Sequence, residues 1–177
     1  AYLSPLYTIE DAKKAQQQLV TVDYNKWFDV LENVQAMFTD AGHIIGSACV
    51  HLKINENGTN RTLTFSGDVG RYRDVILKSP QQFPQAEIIL LESTYGNSLH
   101  DQHTTTPDQL LQWIEKACIK KKGKLIVPAF SVGRTQELLY ALNQLELENR
   151  LPDLDYFVDS PLSISATEII KKYPEYF

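Results

Sequence analysis

The pattern of apolar and polar residues changes along the chain and divides it into two regions. Residues 34–40 are typical of a short strand, and apolar residues alternate with polar ones at residues 48–54 and again around Leu63 and Phe65. A two-residue period is typical of half-buried strands, and Asn57-Gly58 between two such runs indicates a hairpin turn. Residues 88–91 are continuously apolar, so we expect a strand buried on both faces. The first region therefore predicts a mostly antiparallel sheet, preceded by a helix that Thr8 caps.

From about residue 97 the apolar period is helical. Residues 110–118 carry an apolar stripe behind Pro107, which is suited to the first turn of a helix. Short apolar runs at 125–127 and 156–158 predict strands, with a leucine-rich helix between them and a last helix after Ser160. Because helices and strands alternate, this region predicts βαβ units with a parallel sheet. The chain as a whole is predicted to be an α/β protein with a boundary near residue 96.

Composition narrows the class of protein. Charged residues make up 22% and apolar residues 43%, which is ordinary for a globular protein. No apolar run approaches the length of a membrane span, and no leader peptide is recognisable, so we expect no membrane association. The formal net charge of −5 argues against coating nucleic acid by bulk charge, but it leaves a local phosphodiester site open. Two cysteines are too few for a disulfide framework, which favours a cytoplasmic protein.

Three ionisable residues lie at the ends of predicted strands, with glycines close by. His43 lies just before the strand predicted at 48–54, Asp68 lies at the end of the strand that contains Leu63 and Phe65, and Glu92 directly follows the run 88–91. Imidazole nitrogen and carboxylate oxygen are donors that suit zinc or another divalent ion. The same residues also occur in ordinary turns, because Gly-His and Gly-Asp are common where a strand ends. The spacing alone leaves the metal site and the turn as alternatives.

The residue sequences of five short segments indicate a protein family more specifically than the spacing does. They are Asp-Ala-Gly-His-Ile-Ile-Gly-Ser-Ala at 40–48, Phe-Ser-Gly-Asp-Val-Gly-Arg at 65–71, Glu-Ser-Thr-Tyr-Gly at 92–96, Pro-Ala-Phe-Ser-Val-Gly-Arg-Thr-Gln-Glu at 128–137 and Asp-Ser-Pro-Leu at 159–162. Together they resemble the β-CASP branch of the metallo-β-lactamase superfamily, in particular the group with the endonuclease subunit of eukaryotic mRNA cleavage and polyadenylation and its prokaryotic relatives. The resemblance implies the C-terminal portion of a metallo-β-lactamase (αββα) domain at 1–96. The N-terminal portion of a Rossmann-like β-CASP domain would follow at 97–177.

The resemblance also implies roles for the three ionisable residues. His43 matches a ligand of one zinc, and Asp68 matches the aspartate that bridges two zinc ions. Glu92 matches an acidic residue that holds a downstream histidine near the leaving group. Two metal ions can share a hydroxide and stabilise both oxygens of an in-line displacement at phosphorus. The implied activity is zinc-dependent hydrolysis of RNA phosphodiester bonds in RNA processing or decay, with Asp68 and Glu92 as catalytic residues.

Part of the family pattern is absent from this sequence. The family's main metal cluster is His-x-His-x-Asp-His, whereas the histidines here are isolated at positions 43, 51, 100 and 103. The cluster normally lies upstream of this point, and two further motif histidines lie downstream. The chain is therefore expected to be an internal fragment with an incomplete zinc site and no activity of its own. An incomplete sheet would expose apolar surface and favour self-association.

Other residues have two interpretations each. Arg134 begins a helix after a predicted strand and either grips an RNA phosphate or belongs to an ordinary helix start. Ser160 is interpreted first as the N-cap of the last helix and second as an RNA contact. His100 either approaches the site or lies in a solvated loop. His51 is predicted to be structural. The lysines at 120–122 are predicted to form a solvated helix C-terminus.

Two other functions stay open at this level. One is a non-catalytic β-CASP protein that serves as a scaffold in RNA processing. The other is a hydrolase of small esters or thioesters, as in lactamase-like proteins without the β-CASP insertion. The Rossmann-like second region argues against this last possibility.

Overall fold

A five-stranded sheet occupies the first region of the chain. The computed structural model describes residues 5–99 and 107–176. The strands are β1 (Phe28–Leu31), β2 (Val34–Asp40), β3 (Ala48–Glu56), β4 (Thr59–Phe65) and β5 (Ile88–Leu90). They lie in the order β1-β2-β3-β4-β5 and pair antiparallel, except for the parallel pair of β4 and β5. The predicted antiparallel sheet is confirmed. The short strand β1 was not predicted.

The hairpin between β3 and β4 forms as the sequence predicts. Asn57 and Gly58 have φ angles of 52° and 80°, and Glu56 pairs with Thr59 across the turn. A two-residue hairpin turn needs positive φ at both central positions, which asparagine and glycine tolerate best. The turn fixes the register of β3 against β4 and hence the position of the loop that follows β4.

His51 lies in the core of the sheet, as its structural interpretation requires. Only 1% of its surface is exposed. Its Nε2 lies 2.9 Å from the hydroxyl of Thr39, and its Nδ1 lies 2.9 Å from the hydroxyl of Thr64. Burial lowers the pKa of His51 because the charged imidazolium would lose its hydration. This histidine is therefore a neutral core residue that bridges β2, β3 and β4.

The helices mostly begin where the sequence places their caps. They are α1 (Ile9–Gln16), α2 (Pro107–Ile114), a π-helix (Glu115–Lys120), α3 (Arg134–Leu147), α4 (Pro161–Ile170) and a 3₁₀ turn (Pro174–Tyr176). Thr8 and Asp11 form a reciprocal capping box, and the Ser160 hydroxyl accepts the N–H of Ser163. No residue of α1 is buried, so its capping box and its ion pair stabilise this helix, and packing contributes little. None of the helices in the described residues is long and apolar enough to cross a membrane.

The second region differs from the prediction in its strands. Residues 125–127 and 156–158 form no strand, and the described residues after β5 contain none. The predicted parallel sheet is therefore not formed there. The prediction that residues 88–91 are buried on both faces is also wrong, because β5 is about half exposed. A strand needs a partner along its edge, and apolar sequence does not supply one. The α/β class itself is confirmed.

Candidate metal centre

His43 and Asp68 meet at one end of the sheet. Strands β2, β4 and β5 run in the same direction, so the loops after them emerge at the same edge. His43 lies in the loop after β2 and Asp68 in the loop after β4. The Nε2 atom of His43 is 3.8 Å from an Oδ of Asp68, and both side chains are open to solvent. The sheet therefore brings together two residues that are 25 positions apart in sequence.

A close backbone contact fixes the two loops against each other. The N–H of Gly70 donates to the carbonyl oxygen of Ala41 at 2.8 Å. A Cβ at Gly70 would lie 1.7 Å from the oxygen of Gly42 and 2.7 Å from the nitrogen of His43. Only glycine fits such an approach. Within the His43 loop, the Ser47 hydroxyl accepts the N–H of His43 at 3.1 Å. These contacts hold the backbone of His43 against the Asp68 loop.

Glu92 follows β5 and lies at the same end of the sheet as His43 and Asp68. Its carboxylate accepts the N–H of Val69 at 2.9 Å and the N–H of Thr94 at 3.2 Å. Its own N–H donates to the hydroxyl of Ser66 at 3.0 Å. The Val69 hydrogen bond lowers the pKa of Glu92 most, followed by the bonds from Thr94, with a smaller contribution from the charge of His43. Glu92 is thus an ionised group beside the Asp68 loop.

The donor set of this edge fits part of a zinc site. Zinc takes nitrogen and oxygen donors at about 2.0–2.2 Å in a tetrahedron, which places two donors about 3.3 Å apart. The separation of 3.8 Å between His43 and Asp68 is close to that value. Among residues 5–99 and 107–176, no three or more His, Cys, Asp or Glu side chains converge on one point. The described residues therefore offer two donors, about half of a zinc coordination shell.

The candidate substrate-binding residues lie at the starts of α3 and α4. Arg134 pairs with Glu137 one turn further along α3, and about half of its side chain is exposed. Ser160 acts as the N-cap of α4, which confirms that interpretation, and its hydroxyl lies 3.2 Å from the hydroxyl of Ser131. Its contact with RNA stays a prediction. His100 lies outside the described residues.

An ionic contact between the two regions was missed from the sequence. Arg71, three residues after Asp68, donates to the carboxylate of Glu137 at 3.1 Å and lies 3.5 Å from that of Asp74. Glu137 therefore binds two guanidinium groups, those of Arg71 and Arg134. We call Arg71, Asp74, Arg134 and Glu137 the arginine clasp. Both Arg71 and Glu137 end motifs that the sequence had singled out, but nothing in the sequence pairs them.

A buried glutamine holds the start of α3 in place. The Gln136 side chain donates to the carbonyl of Ser131 at 3.1 Å and to the hydroxyl of Thr167 at 3.0 Å. Its oxygen accepts the N–H of Gly133 at 2.7 Å. Gln136 thus joins the loop before α3 to α4 and fixes the base from which Arg134 and Glu137 project. It, too, was not identified from the sequence.

Comparison with known proteins gives consistent results for both regions. A family model described as the Beta-Casp domain matches residues 135–177. The chain is 33% identical to Ribonuclease TTHA0252 of Thermus thermophilus over 98% of its length and 29% identical to an RNase J-like protein of Methanocaldococcus jannaschii over 97%. It is 31% identical over 92% of its length to the transcription termination factor FttA of Methanosarcina mazei.

These relatives are longer proteins. The chain spans 38% of the ribonuclease, 40% of the RNase J-like protein and 25% of the termination factor. The similarity nevertheless extends over more than nine-tenths of this chain, and so includes the His43, Asp68 and Glu92 edge as well as the segment that the family model matches. The chain belongs to the β-CASP branch of the metallo-β-lactamase superfamily.

Proposed function

We propose that a protein carrying this chain is a zinc-dependent hydrolase that cleaves RNA phosphodiester bonds. The observation that carries the proposal is the approach of His43 Nε2 to the Asp68 carboxylate, 3.8 Å apart at the sheet edge that Glu92 also reaches. RNA is favoured as substrate because relatives bear the names ribonuclease and transcription termination factor. Since the chain spans 25–40% of these relatives, the activity is assigned to the full-length protein.

His43 and Asp68 would hold zinc in that protein. When bound, zinc supplies Lewis-acid polarisation of a phosphoryl oxygen and lowers the pKa of a water ligand. The close backbone contact at Gly70 orients these two donors before the metal arrives. A site whose ligands are held in place loses less conformational entropy when it binds its ion.

Glu92 is suited to a positioning role beside the metal. Its carboxylate is fixed by two backbone N–H groups and remains ionised because those bonds lower its pKa. A fixed, ionised carboxylate that accepts the ring N–H of a histidine sets its tautomer and raises its basicity. The resemblance implies that this histidine lies downstream in the full-length protein, near the leaving group. Arg134 pairs with Glu137 at the start of α3 and is half exposed, so the guanidinium N–H groups outside that pair can bind a substrate phosphate.

Site variants of the full-length protein test the proposal. Asp68→Asn should lose bound zinc and RNA cleavage together, whereas Glu92→Gln should keep zinc and cleave about 10- to 100-fold more slowly. Asp29→Asn, which alters an exposed carboxylate on β1, is the matched control and should change neither. Zinc content is measured by mass spectrometry of metals, and cleavage with a labelled RNA. Full zinc content and activity in Asp68→Asn would contradict the proposed site.

The isolated chain of 177 residues provides a second test. With two donors from the described residues, it should neither retain zinc during gel filtration nor cleave RNA, because zinc needs about four ligands. Zinc-dependent cleavage by this chain alone would show that it holds a complete site. RNA binding without cleavage by the full-length protein would instead favour a scaffold.

A further inference from the structure

A cluster of lysines follows helix α2. Residues 115–124 contain five lysines and one glutamate, a local formal charge of +4 in a chain whose net charge is −5. All five lysines are exposed, and none pairs with a carboxylate among residues 5–99 and 107–176. We call this cluster the lysine face; its members are Lys116, Lys120, Lys121, Lys122 and Lys124.

The π-helix brings several of these lysines to one side. Over Glu115–Lys120 the backbone takes wider turns, and the N–H of Lys121 donates to the carbonyl of Lys116 at 3.3 Å. Because a π-helix bonds each residue to the fifth one along, the residues four and five positions on lie above the first. Lys120 and Lys121 therefore project on the same side as Lys116. In an ordinary α-helix, one of these two lysines would point away from the side on which Lys116 lies.

An exposed tryptophan adjoins the lysine face. Trp113 lies on α2 between the buried residues Leu110 and Ile114, yet 56% of its own surface is exposed. The ammonium of Lys116 is 4.8 Å from the centroid of its ring. More than half of this large aromatic side chain therefore faces solvent rather than the core. A planar ring beside a row of cations is the arrangement that single-stranded nucleic acid binds.

We propose that Trp113 and the lysine face bind single-stranded RNA outside the reaction centre. The proposal rests on the proposed function, in which RNA is the substrate. Phosphates would contact the lysines, while an unstacked base would lie on the indole. A helix C-terminus explains Lys120 to Lys122 through the dipole, as predicted from the sequence, but it explains neither Trp113 nor Lys124. Single-stranded RNA is favoured over a duplex because its bases are free to stack.

Binding of a labelled, unstructured 30-nucleotide RNA tests the lysine face. The full-length protein carries Asp68→Asn so that the RNA stays intact. The test variant adds Lys116→Gln, Lys120→Gln, Lys121→Gln and Lys122→Gln. The control removes equal charge elsewhere, through Lys13→Gln, Lys14→Gln, Lys171→Gln and Lys172→Gln. We expect the test variant to bind at least tenfold more weakly. Its slope of log affinity against log salt should be shallower by about 3, since each phosphate contact on a single strand contributes about 0.7.

Trp113 is tested with a pair of variants of similar size. Trp113→Phe keeps an aromatic ring, whereas Trp113→Leu does not, and both preserve an apolar residue on α2. Trp113→Leu should weaken binding about 5- to 100-fold, as expected for loss of one stacked base, and Trp113→Phe much less. A duplex of the same length should lose little affinity with either variant.

The outcomes separate this proposal from the proposed function. With Asp68 intact, lysine-face variants should cleave bis(p-nitrophenyl) phosphate normally and show a raised KM for long RNA. Unchanged RNA affinity in the four-lysine variant, or equal losses in test and control, would overturn the lysine face while RNA cleavage persisted. Equal losses for duplex and single strand would overturn the assignment to single strands. Absence of RNA cleavage by the unaltered full-length protein would overturn the proposed function instead.

Discussion

At the scale of single residues, Gly70 determines how closely the two loops of the candidate metal centre approach. Its φ angle is not in the left-handed region, so the requirement for glycine is steric rather than conformational. We predict that Gly70→Ala destabilises the full-length protein by about 1–3 kcal/mol, the usual cost of overpacking, and weakens zinc binding. The added methyl group would push the Gly42 and His43 backbone away from Asp68. Urea unfolding and zinc titration measure the two effects.

Gly46→Ala is the matched control in the same loop. Gly46 has a φ of +83° and nothing within 4 Å of an added Cβ, so its substitution strains the backbone without moving the loops together or apart. It should cost about 1–2 kcal/mol of stability and leave zinc affinity unchanged. Equal zinc affinities in the two variants would show that the Gly70 contact does not position His43.

The buried His51 makes stability depend on pH. In the folded protein its pKa lies below the ordinary value of 6.5, because burial disfavours the charged ring. The unfolded chain therefore binds more protons than the folded one once the pH falls below about 6.5, and folding stability decreases in that range. The loss is at most about 1.4 kcal/mol for each pH unit, and it ends once the pH is below the folded pKa. Denaturant unfolding between pH 7.5 and 5.5 measures it.

His51→Gln isolates this effect from the other titrating groups. Glutamine can hydrogen-bond the hydroxyls of Thr39 and Thr64 but does not titrate. We expect the variant to be less stable at pH 7.5, because its shape differs, and to lose less stability on acidification. A decrease of the same size in both proteins would assign the pH dependence to other residues.

At the scale of elements, the arginine clasp connects the loop after β4 to helix α3. We predict that Arg71 and Glu137 stabilise the protein cooperatively by about 0.2–1 kcal/mol, the range for solvent-exposed ion pairs, since half of the Arg71 side chain is exposed. A double-mutant cycle with Arg71→Gln and Glu137→Gln, read by urea unfolding, gives the coupling energy. The exchanged pair Arg71→Glu with Glu137→Arg should recover part of the stability that either charge reversal loses. Additive effects would mean that the contact does not join the two regions.

Elements with local signals could be predicted from the sequence, and elements defined by distant partners could not. Strands β2 to β4 follow from alternation and from Asn57-Gly58, which act between neighbours in the chain. The runs at 125–127 and 156–158 have the right residues, but a strand forms only against a partner, which periodicity does not reveal. The π-helix has no recognisable signal in its residues.

The candidate site shows the same division. His43, Asp68 and Glu92 were found because each lies at the end of a predicted strand and within a recognisable motif, and parallel strand directions then bring them to one edge. The link from Arg71 to Glu137 was missed because it joins residues 66 positions apart through side chains alone. Trp113 and Lys116 are three positions apart and are ordinary neighbours on a helix, but nothing in the sequence showed that Trp113 is exposed.

At the scale of the whole molecule, several large apolar side chains are exposed to solvent. Ile126, Phe130 and Phe157 are each 85% exposed, and within the described part of the chain none of them belongs to a strand or a helix. The three residues of β5 are 47–55% exposed, and β5 is the last strand of the sheet, with one edge that pairs with no other strand of residues 5–99 and 107–176. Contiguous apolar surface and an open strand edge both promote association between chains.

We predict that the isolated 177-residue chain self-associates in a concentration-dependent manner. Association would bury the exposed apolar segments and give the open edge of β5 a partner, so the hydrophobic effect and backbone hydrogen bonds both favour it. Sedimentation velocity between about 2 and 100 μM should show a rising average mass. Ile126→Lys with Phe157→Lys should shift the chain toward monomer, whereas Leu147→Lys, at an exposed apolar residue of α3, should not. A monomer throughout this concentration range would show that these surfaces do not drive association.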